Sequence, residues 1–448
     1  MKKVLIIAYH FPPLGGGGVQ RTLKFVKYLP SFGWQAVVLT TKNPDFDHSD
    51  ENLLDDLPAE TIIERTFSLN LWRHYRVKRY GRQSIYETSK NNKKDAAFTL
   101  NPFWLSWRII KWIINNFLFV PDEYNGWFPF AFYGGLRIIR REHINLIYAT
   151  GNPWTSFVIA RCLSAICKIP FVIDFRDPWV LSPYSTTKER KALKHKIARN
   201  IERWCVLKAS HVINVNEVIT KIFKKYYKNV DKGKFITITQ GSDRDDFNMV
   251  KLKKNNKFVI SHVGTFYRHR TPERLLEALN HLFNSYPELR KKIKIKFIGI
   301  TGSFADESIR NNHLEDTVEL VPYCSHKESI EEMCNSDLLV LIQANIKGLK
   351  AETSTGKLFE YLASGREIIA LVSKRNEAIQ ILKNLNTGSA LDPENVELIA
   401  KTILRNYHNW ESGKSRKREF RNLDIFERKN LTGILAKTFD HILKENQI

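Results

Sequence analysis

Short runs rich in Val, Ile and Leu alternate along this chain with longer amphipathic stretches. That alternation is the signature of βαβ units and hence of parallel sheets. Strands are predicted over Val4–Ala8, Ala36–Leu39, Leu146–Ala149, Phe171–Ile173, Val212–Val215 and Phe235–Thr239, with helices such as Gly18–Leu29, Trp154–Ile166 and Glu189–Leu207 between them. A second series begins at Phe258–Val263 and runs through Ile295–Ile298, Val318–Val321, Leu338–Ile342 and Ile368–Val372. A polar Lys/Asn/Asp-rich stretch, residues 243–256, separates the two series. With 448 residues the chain is too long for one core. The expected architecture is α/β: two Rossmann-like, doubly wound domains facing across a cleft. The domains cover residues 1–250 and 251–421, and an amphipathic tail, 422–448, packs back on the first. In such sheets ligands bind beyond the carboxyl ends of the strands, near the point where strand order reverses.

The charge balance narrows the partners. Seventy Lys+Arg against 47 Asp+Glu give a formal +23, which favours nucleotide phosphates, nucleic acid or an anionic membrane surface. The basic residues are dispersed and no nucleic-acid-binding signature is present, so nucleic acid is not expected. Five cysteines without CxxC or Cys/His spacing read as reduced thiols. The opening apolar run ends at Tyr9-His10, too short for a signal peptide, and no run reaches the roughly 18 apolar residues of a spanning helix. A cytoplasmic protein is expected, peripheral on the inner face of the membrane.

The segment Ala351-Glu-Thr-Ser-Thr-Gly-Lys-Leu-Phe-Glu-Tyr-Leu-Ala-Ser-Gly365 carries two glutamates, Glu352 and Glu360, with seven residues between them. If Thr355-Gly356 marks the turn into a helix, Lys357 and Glu360 share one face of its first turn. Free backbone N–H groups and the positive dipole end point out of the same turn. N–H groups and Lys357 suit a diphosphate, and carboxylates suit vicinal hydroxyls, a combination that fits a nucleotide sugar. An N-capped helix with solvated acids would have the same spacing.

Other segments are read in the same way. The run Gly15–Gly18 lacks the GxGxxG pattern but puts a backbone without Cβ atoms beside a helix N-terminus, where Gly16 and Gly17 allow close approach of a diphosphate or an acceptor hydroxyl. His10 lies beside it. Asp174 and Asp177 could serve as base or only fix their loop, since Asp177 before Pro178 is a good turn former. Asp243-Arg-Asp245 has the spacing of a D-x-D metal motif but sits in the linker, and no metal site is expected. The stretch Phe103–Val120, rich in Trp, Phe and Ile, suits either a membrane interface or a packed core. Residues 68–100, rich in Asn, Lys and Arg, read as an insertion.

Four segments in order resemble the retaining glycosyltransferases of family 4, which have the GT-B fold, and within it a bacterial branch that builds surface polysaccharides. They are Tyr9-His-Phe-Pro-Pro-Leu-Gly-Gly-Gly-Gly-Val-Gln-Arg21, Phe171-Val-Ile-Asp-Phe-Arg-Asp-Pro-Trp179, His262-Val-Gly-Thr-Phe-Tyr-Arg-His-Arg-Thr-Pro272, and the run from Glu352 to Gly365. The resemblance implies Glu352 near the transferred sugar, Glu360 on the ribose, and Lys357 with Arg270 on the diphosphate. It adds Gly264, Thr265, Arg268 and Tyr323 to the donor side, and Gln20, Asn152, Arg176 and Asp177 to the acceptor side. It implies a UDP- or GDP-linked sugar as substrate, no separate cofactor, and a glycan or lipid-linked glycan acceptor. Thr265 and Arg270 stand where relatives carry a basic pair. The strand ending Tyr148-Ala-Thr-Gly-Asn152 lacks a histidine common in them, and Glu367 replaces a proline.

Overall fold

The computed structural model describes residues 1–44, 48–69, 120–182, 185–248, 250–266, 270–343, 355–374, 376–414 and 423–445. Glu352, Arg268 and nearly all of Phe103–Val120 fall outside these residues, as does most of 68–100. Among the described residues no helix is long and apolar enough to cross a membrane.

The chain divides into two compact units. One takes the chain as far as Thr239 and again from Leu431; the other is Gln240–Asn430, so the division precedes the expected 250/251 boundary by eleven residues. In the first unit the strands are β1 Lys2–Ile7, β2 Trp34–Thr41, β3 Ile62–Thr66, β4 Leu146–Gly151, β5 Phe171–Phe175, β6 His211–Asn214 and β7 Phe235–Thr237. They form one sheet in the order β3-β2-β1-β4-β5-β6-β7. All of its pairings are parallel. The second unit repeats the plan with β8 Phe258–Val263, β9 Ile293–Ile298, β10 Val318–Val321, β11 Leu338–Ile342, β12 Glu367–Leu371 and β13 Gly388–Leu391, ordered β10-β9-β8-β11-β12-β13. Strand order therefore reverses between β1 and β4, and again between β8 and β11.

Strands buried on both faces read as continuous apolar runs, and that is how β1 and β11 appear. Leu5 and Ile7 join a core with Phe157, Leu163, Cys205 and Phe223 on one face of the first sheet. Val4 and Ile6 join another with Phe25 and Val26 on the opposite face. The helix Arg428–Glu445 closes that second core by burying Leu431, Leu435, Phe439 and Ile442 against it. In the second unit Leu338, Val340 and Ile342 point to one core and Leu339 and Leu341 to the other.

The expected strands agree in type and order with those observed. The edge strands β3 and β13 were not anticipated: Ile62–Thr66 carries Glu64 and Arg65, and Gly388–Leu391 is only four residues of low apolar content. The expected helix Glu189–Leu207 is two helices, Thr187–Lys191 and Leu193–Lys208, broken where Ala192 turns extended (ψ 147°).

Candidate functional site

At the end of β8 the chain turns through Gly264, whose φ of +143° is open to glycine and strained for other residues. Its N–H donates to the Ile298 carbonyl at 2.7 Å, and a Cβ on the neighbouring Gly299 would lie 2.9 Å from the Gly264 oxygen. Two strand ends are thus in backbone contact, leaving a floor without side chains. A Cβ on Gly264 would fall 1.4 Å from Nζ of Lys357. The lysine ammonium occupies the space that any larger residue at 264 would need.

Lys357 stands in the first turn of the helix Gly356–Ser364, which follows β11. Thr355 holds the N-cap position without a side-chain cap bond, and its buried Oγ1 has no hydrogen-bond partner. No acid occupies the first turn, and Gly356 has open space beside it. The uncapped N–H groups, the dipole and a lysine thus meet at one helix end, an arrangement that attracts anions. The helix is locked in place by Tyr361, fully buried, whose hydroxyl accepts from the Val263 N–H at 2.8 Å.

The electrostatics are those of a site prepared for negative charge. Lys357 is pushed down to about 7, mainly by burial, with the charge of Arg270 adding to the shift and Glu360 opposing it. Arg270 and Lys357 therefore act on one locus. His262 lies beneath them, buried, with Nδ1 2.8 Å from the Val340 carbonyl and its ring stacked on Phe266 at 4.6 Å. Burial, and next Lys357, hold its pKa well below the ordinary value, so the ring is neutral and adds no competing charge.

Glu360 shares the helix face with Lys357 and faces His326, whose Nε2 is 3.2 Å from Oε1. Burial opposes its charged form. The hydrogen bond from His326 first, then the charges of His326, Arg428 and Lys357, outweigh that and keep the carboxyl below its usual range. Thr265 is half-buried beyond Gly264, and Tyr323 is half-buried in the loop after β10 that leads to His326.

In the first unit the loop after β1 reaches the helix Gly17–Tyr28 through Gly16, at φ +91°. Gly17 has open space beside it, whereas a Cβ on Gly18 would meet the Arg176 guanidinium at 3.0 Å. Arg176 donates to the carbonyls of Gly18, Gly151 and Asn152, tying the loops after β1, β4 and β5 together. His10 is held down to about 3, by burial and then by Arg176, so it is neutral. Gln20 is buried and its Oε1 has no partner. Asn152 and Asp177 are exposed.

Asp174 differs from the base it could have been. It is fully buried, and Arg21 donates to its two oxygens at 2.6 and 3.2 Å. The Tyr148 hydroxyl donates to the same carboxylate. Fixed in this way, Asp174 matches the loop-fixing alternative. The D-x-D pair likewise has a local use: Asp243 accepts from the Asp245 N–H at 3.2 Å, and Arg244 pairs with Asp424 at 2.8 Å.

Several participants had not been singled out. Arg21 lay inside the glycine-loop motif, yet its partner is 153 residues away. His326 follows Ser325 in the capping box Ser325–Glu328, a helix-start signal rather than a site signal. His262 and Gly299 carried no local sign of their role.

Residues 243–422 match the family model of the glycosyl transferases group 1. No curated protein matches the chain in sequence. Among solved structures, HepE from Anabaena, in complex with UDP, is 14% identical with a TM-score of 0.61, covering 98% of this chain and 100% of that one. WaaG, a glycosyltransferase involved in lipopolysaccharide biosynthesis, is 12% identical with a TM-score of 0.58, covering 97% and 99%. A candidate UDP-N-acetylglucosamine 2-epimerase from Listeria monocytogenes is 12% identical with a TM-score of 0.54, covering 99% and 98%. At these identities the likeness is one of fold. The second unit, which carries the glycine floor, lysine and glutamate at the β8 and β11 ends, matches the glycosyl transferases group 1 model, in a chain with the GT-B fold.

Proposed function

We propose that the protein is a retaining glycosyltransferase that moves a hexose-type sugar from a nucleotide-sugar donor to a glycan or lipid-linked glycan acceptor. Its place would be cell-surface polysaccharide biosynthesis, at the cytoplasmic face of the membrane. The observation that carries this reading is the Lys357 ammonium set against Gly264 at an uncapped helix N-terminus, with Glu360 one turn on. Breaking a glycosidic bond to a diphosphate leaves an oxocarbenium-like sugar and puts negative charge on the leaving group. Cations and N–H dipoles already aimed at that charge lower the barrier. Lys357 and Arg270 supply it without a metal ion. By the family resemblance Glu360 would take the ribose hydroxyls and Glu352 those of the transferred sugar. The acceptor attacks on the face the leaving group departs from, and the leaving phosphate takes the acceptor's proton. A UDP-linked donor is the first to test, because HepE is seen with UDP.

The test is a thermal-shift panel of UDP-, GDP-, ADP- and dTDP-sugars, since a ligand at 100 times its Kd adds about 2.7 kcal/mol of apparent stability. The stabilising donor is then followed by NMR with and without acceptor glycans. Transfer with the anomeric configuration kept is the expected result. The fold is shared with an epimerase candidate, so conversion of the sugar without any acceptor would replace transfer by epimerisation.

A further inference from the structure

The first unit carries a feature that donor chemistry does not use. The helices Thr155–Cys167, Leu193–Lys208 and Glu217–Tyr226 connect β4 to β5, β5 to β6 and β6 to β7. Right-handed crossovers between successive neighbouring strands put all three on one face of the sheet. Their inner sides meet in one core, through Phe157, Leu163, Cys205, Val206, Ile219 and Phe223. They are also tied sideways: the Arg161 guanidinium lies 4.8 Å from the centre of the Trp204 ring, and the Tyr227 hydroxyl donates to Glu202 at 2.7 Å.

The outward side of this layer is unusual in two respects. It exposes Ile166 (60%), Leu193 (37%), Trp204 (40%), Leu207 (42%), Ile222 (41%) and Tyr226 (43%). Single exposed apolar residues are ordinary, but six on three adjacent helices form a surface that needs a reason. Lys196, Arg203, Lys221 and Lys225 are exposed on the same helices, interleaved with them. Residues 188–234 hold fourteen Lys/Arg against four Asp/Glu, so ten of the chain's +23 come from about a tenth of its length. The acids do little to offset this. Glu202 is buried, and burial pushes it up to about 7. Glu189 closes its own capping box with Thr186, and Glu217 bonds the Thr237 hydroxyl at 2.9 Å.

We propose that the outer surface of this three-helix layer docks on an anionic lipid bilayer. The lysines and arginines would face the headgroups, while Trp204, Leu207, Leu193 and Ile222 enter the boundary beneath them. The aliphatic members decide between polyanions: Leu and Ile have no stacking role on bases, but they gain free energy on leaving water at a membrane interface. This surface is separate from Phe103–Val120, and it does not depend on the donor-site reading.

The experiment is sedimentation of the full chain with vesicles of phosphatidylcholine alone and of phosphatidylcholine with 30% phosphatidylglycerol. Binding is expected only to the second, weakening as salt rises. Lys196→Gln/Arg203→Gln/Lys225→Gln together should weaken it about 100-fold, at about fivefold per charge near the surface. Trp204→Ser/Leu207→Ser/Ile222→Ser should weaken it by about tenfold or more, although all three are exposed and none supports the core. Circular dichroism and the donor thermal shift should be unchanged in both variants. No binding by the wild type, or wild-type binding by both variants, overturns the proposal. So does loss in the charge variant alone, if the wild type also binds poly-U RNA more tightly than the vesicles. Vesicle binding by a chain that responds to no nucleotide sugar would leave this surface standing and sink the transferase reading instead.

Discussion

The two units share one topology and place a glycine-bearing loop at the same point of strand reversal, yet they use their cations in opposite ways. In the first unit Arg21 is bonded to both oxygens of Asp174 and to the carbonyls of Ile238 and Thr239. Arg176 is bonded into three further carbonyls. These charges hold loops together. In the second unit Lys357 is half-buried against Gly264, and among the described residues no carboxylate lies within ion-pair distance of it. Burial without a partner is unfavourable for an ammonium, and its lowered pKa expresses that. A cation already paired has little left for a ligand, whereas a cation kept unpaired gains most when an anion arrives. The same fold thus builds a braced loop cluster in one unit and leaves an unpaired ammonium at an uncapped helix N-terminus in the other.

The largest expected effect tests the braced side. Asp174→Asn leaves Arg21 buried without its counter-charge, which should cost about 3–5 kcal/mol of stability in the first unit. Arg21→Met should cost about as much, and the double variant less than the sum, because the pair is lost only once. Urea unfolding followed by tryptophan fluorescence would read this, with two transitions allowed for two units. Donor binding by the folded variant should be unchanged. If Asp174→Asn kept full stability and lost transfer, Asp174 would be a reacting group after all, and the contrast between the units would fail.

Next is the unpaired side. Lys357→Met should lower kcat by about 100- to 1000-fold, the scale for one preorganised contact to developing charge. Its stability should hold or rise, since a partly desolvated, unpaired charge is removed. Turnover within threefold of wild type at saturating donor would remove Lys357 from the chemistry.

Most of the fold was legible because a parallel sheet buried on both faces writes itself as continuous apolar runs. The β8, β10 and β11 ranges follow from their residues alone. Edge strands are half-solvated and mix charges with apolar residues, so β3 and β13 left no such run. At the site, Lys357 and Glu360 were readable because a helix turns a spacing of three into a shared face. Gly264 was readable as a turn, but its closeness to Lys357 was not, since 93 residues separate them and only the β8–β11 pairing brings them together. The same limit hid Arg21–Asp174 and His326–Glu360. Contacts across crossovers have no local signature, whereas caps and periodicities do.

The contrast also has a pH signature. Lys357 sits at about 7 in the free protein, and a bound diphosphate raises that value by offering the missing counter-charge. Well below pH 7 the ammonium is already charged, and this group adds no further pH dependence to nucleoside diphosphate affinity. Above pH 7 binding must take up a proton, so affinity should fall by as much as tenfold per pH unit until the bound-state pKa is reached. For folding the sign is the reverse of a stabilising ion pair. Between 7 and the ordinary 10.5 the unfolded chain holds this proton and the native one does not, so this group's contribution to stability rises with pH. Calorimetry in two buffers of different ionisation enthalpy at pH 8 should show proton uptake on UDP binding in the wild type and none in Lys357→Met. Equal uptake in both would assign the proton elsewhere.

The smallest effect concerns His326, a partner by which the second unit braces Glu360. Its Nε2 lies 3.2 Å from Glu360 Oε1, and its Nδ1 lies 4.0 Å from Asp246. Held there, it fixes the Glu360 carboxylate but leaves the other oxygen to a ligand hydroxyl. His326→Ala should therefore weaken UDP affinity by about fivefold, near 1 kcal/mol for one hydrogen bond that acts through another group. Glu360→Ala, which removes the acceptor itself, should cost about 1.5–3 kcal/mol. The loss from His326→Ala should appear in KM with kcat nearly unchanged, because ribose contacts are the same in ground and transition states. His326→Gln keeps a donor in reach and should recover most of the affinity. A capping or packing role would instead show as a lowered melting temperature with UDP affinity intact. In that case Glu360 would be positioned by its helix alone, without bracing of the kind that Arg21 and Arg176 give the loops of the first unit.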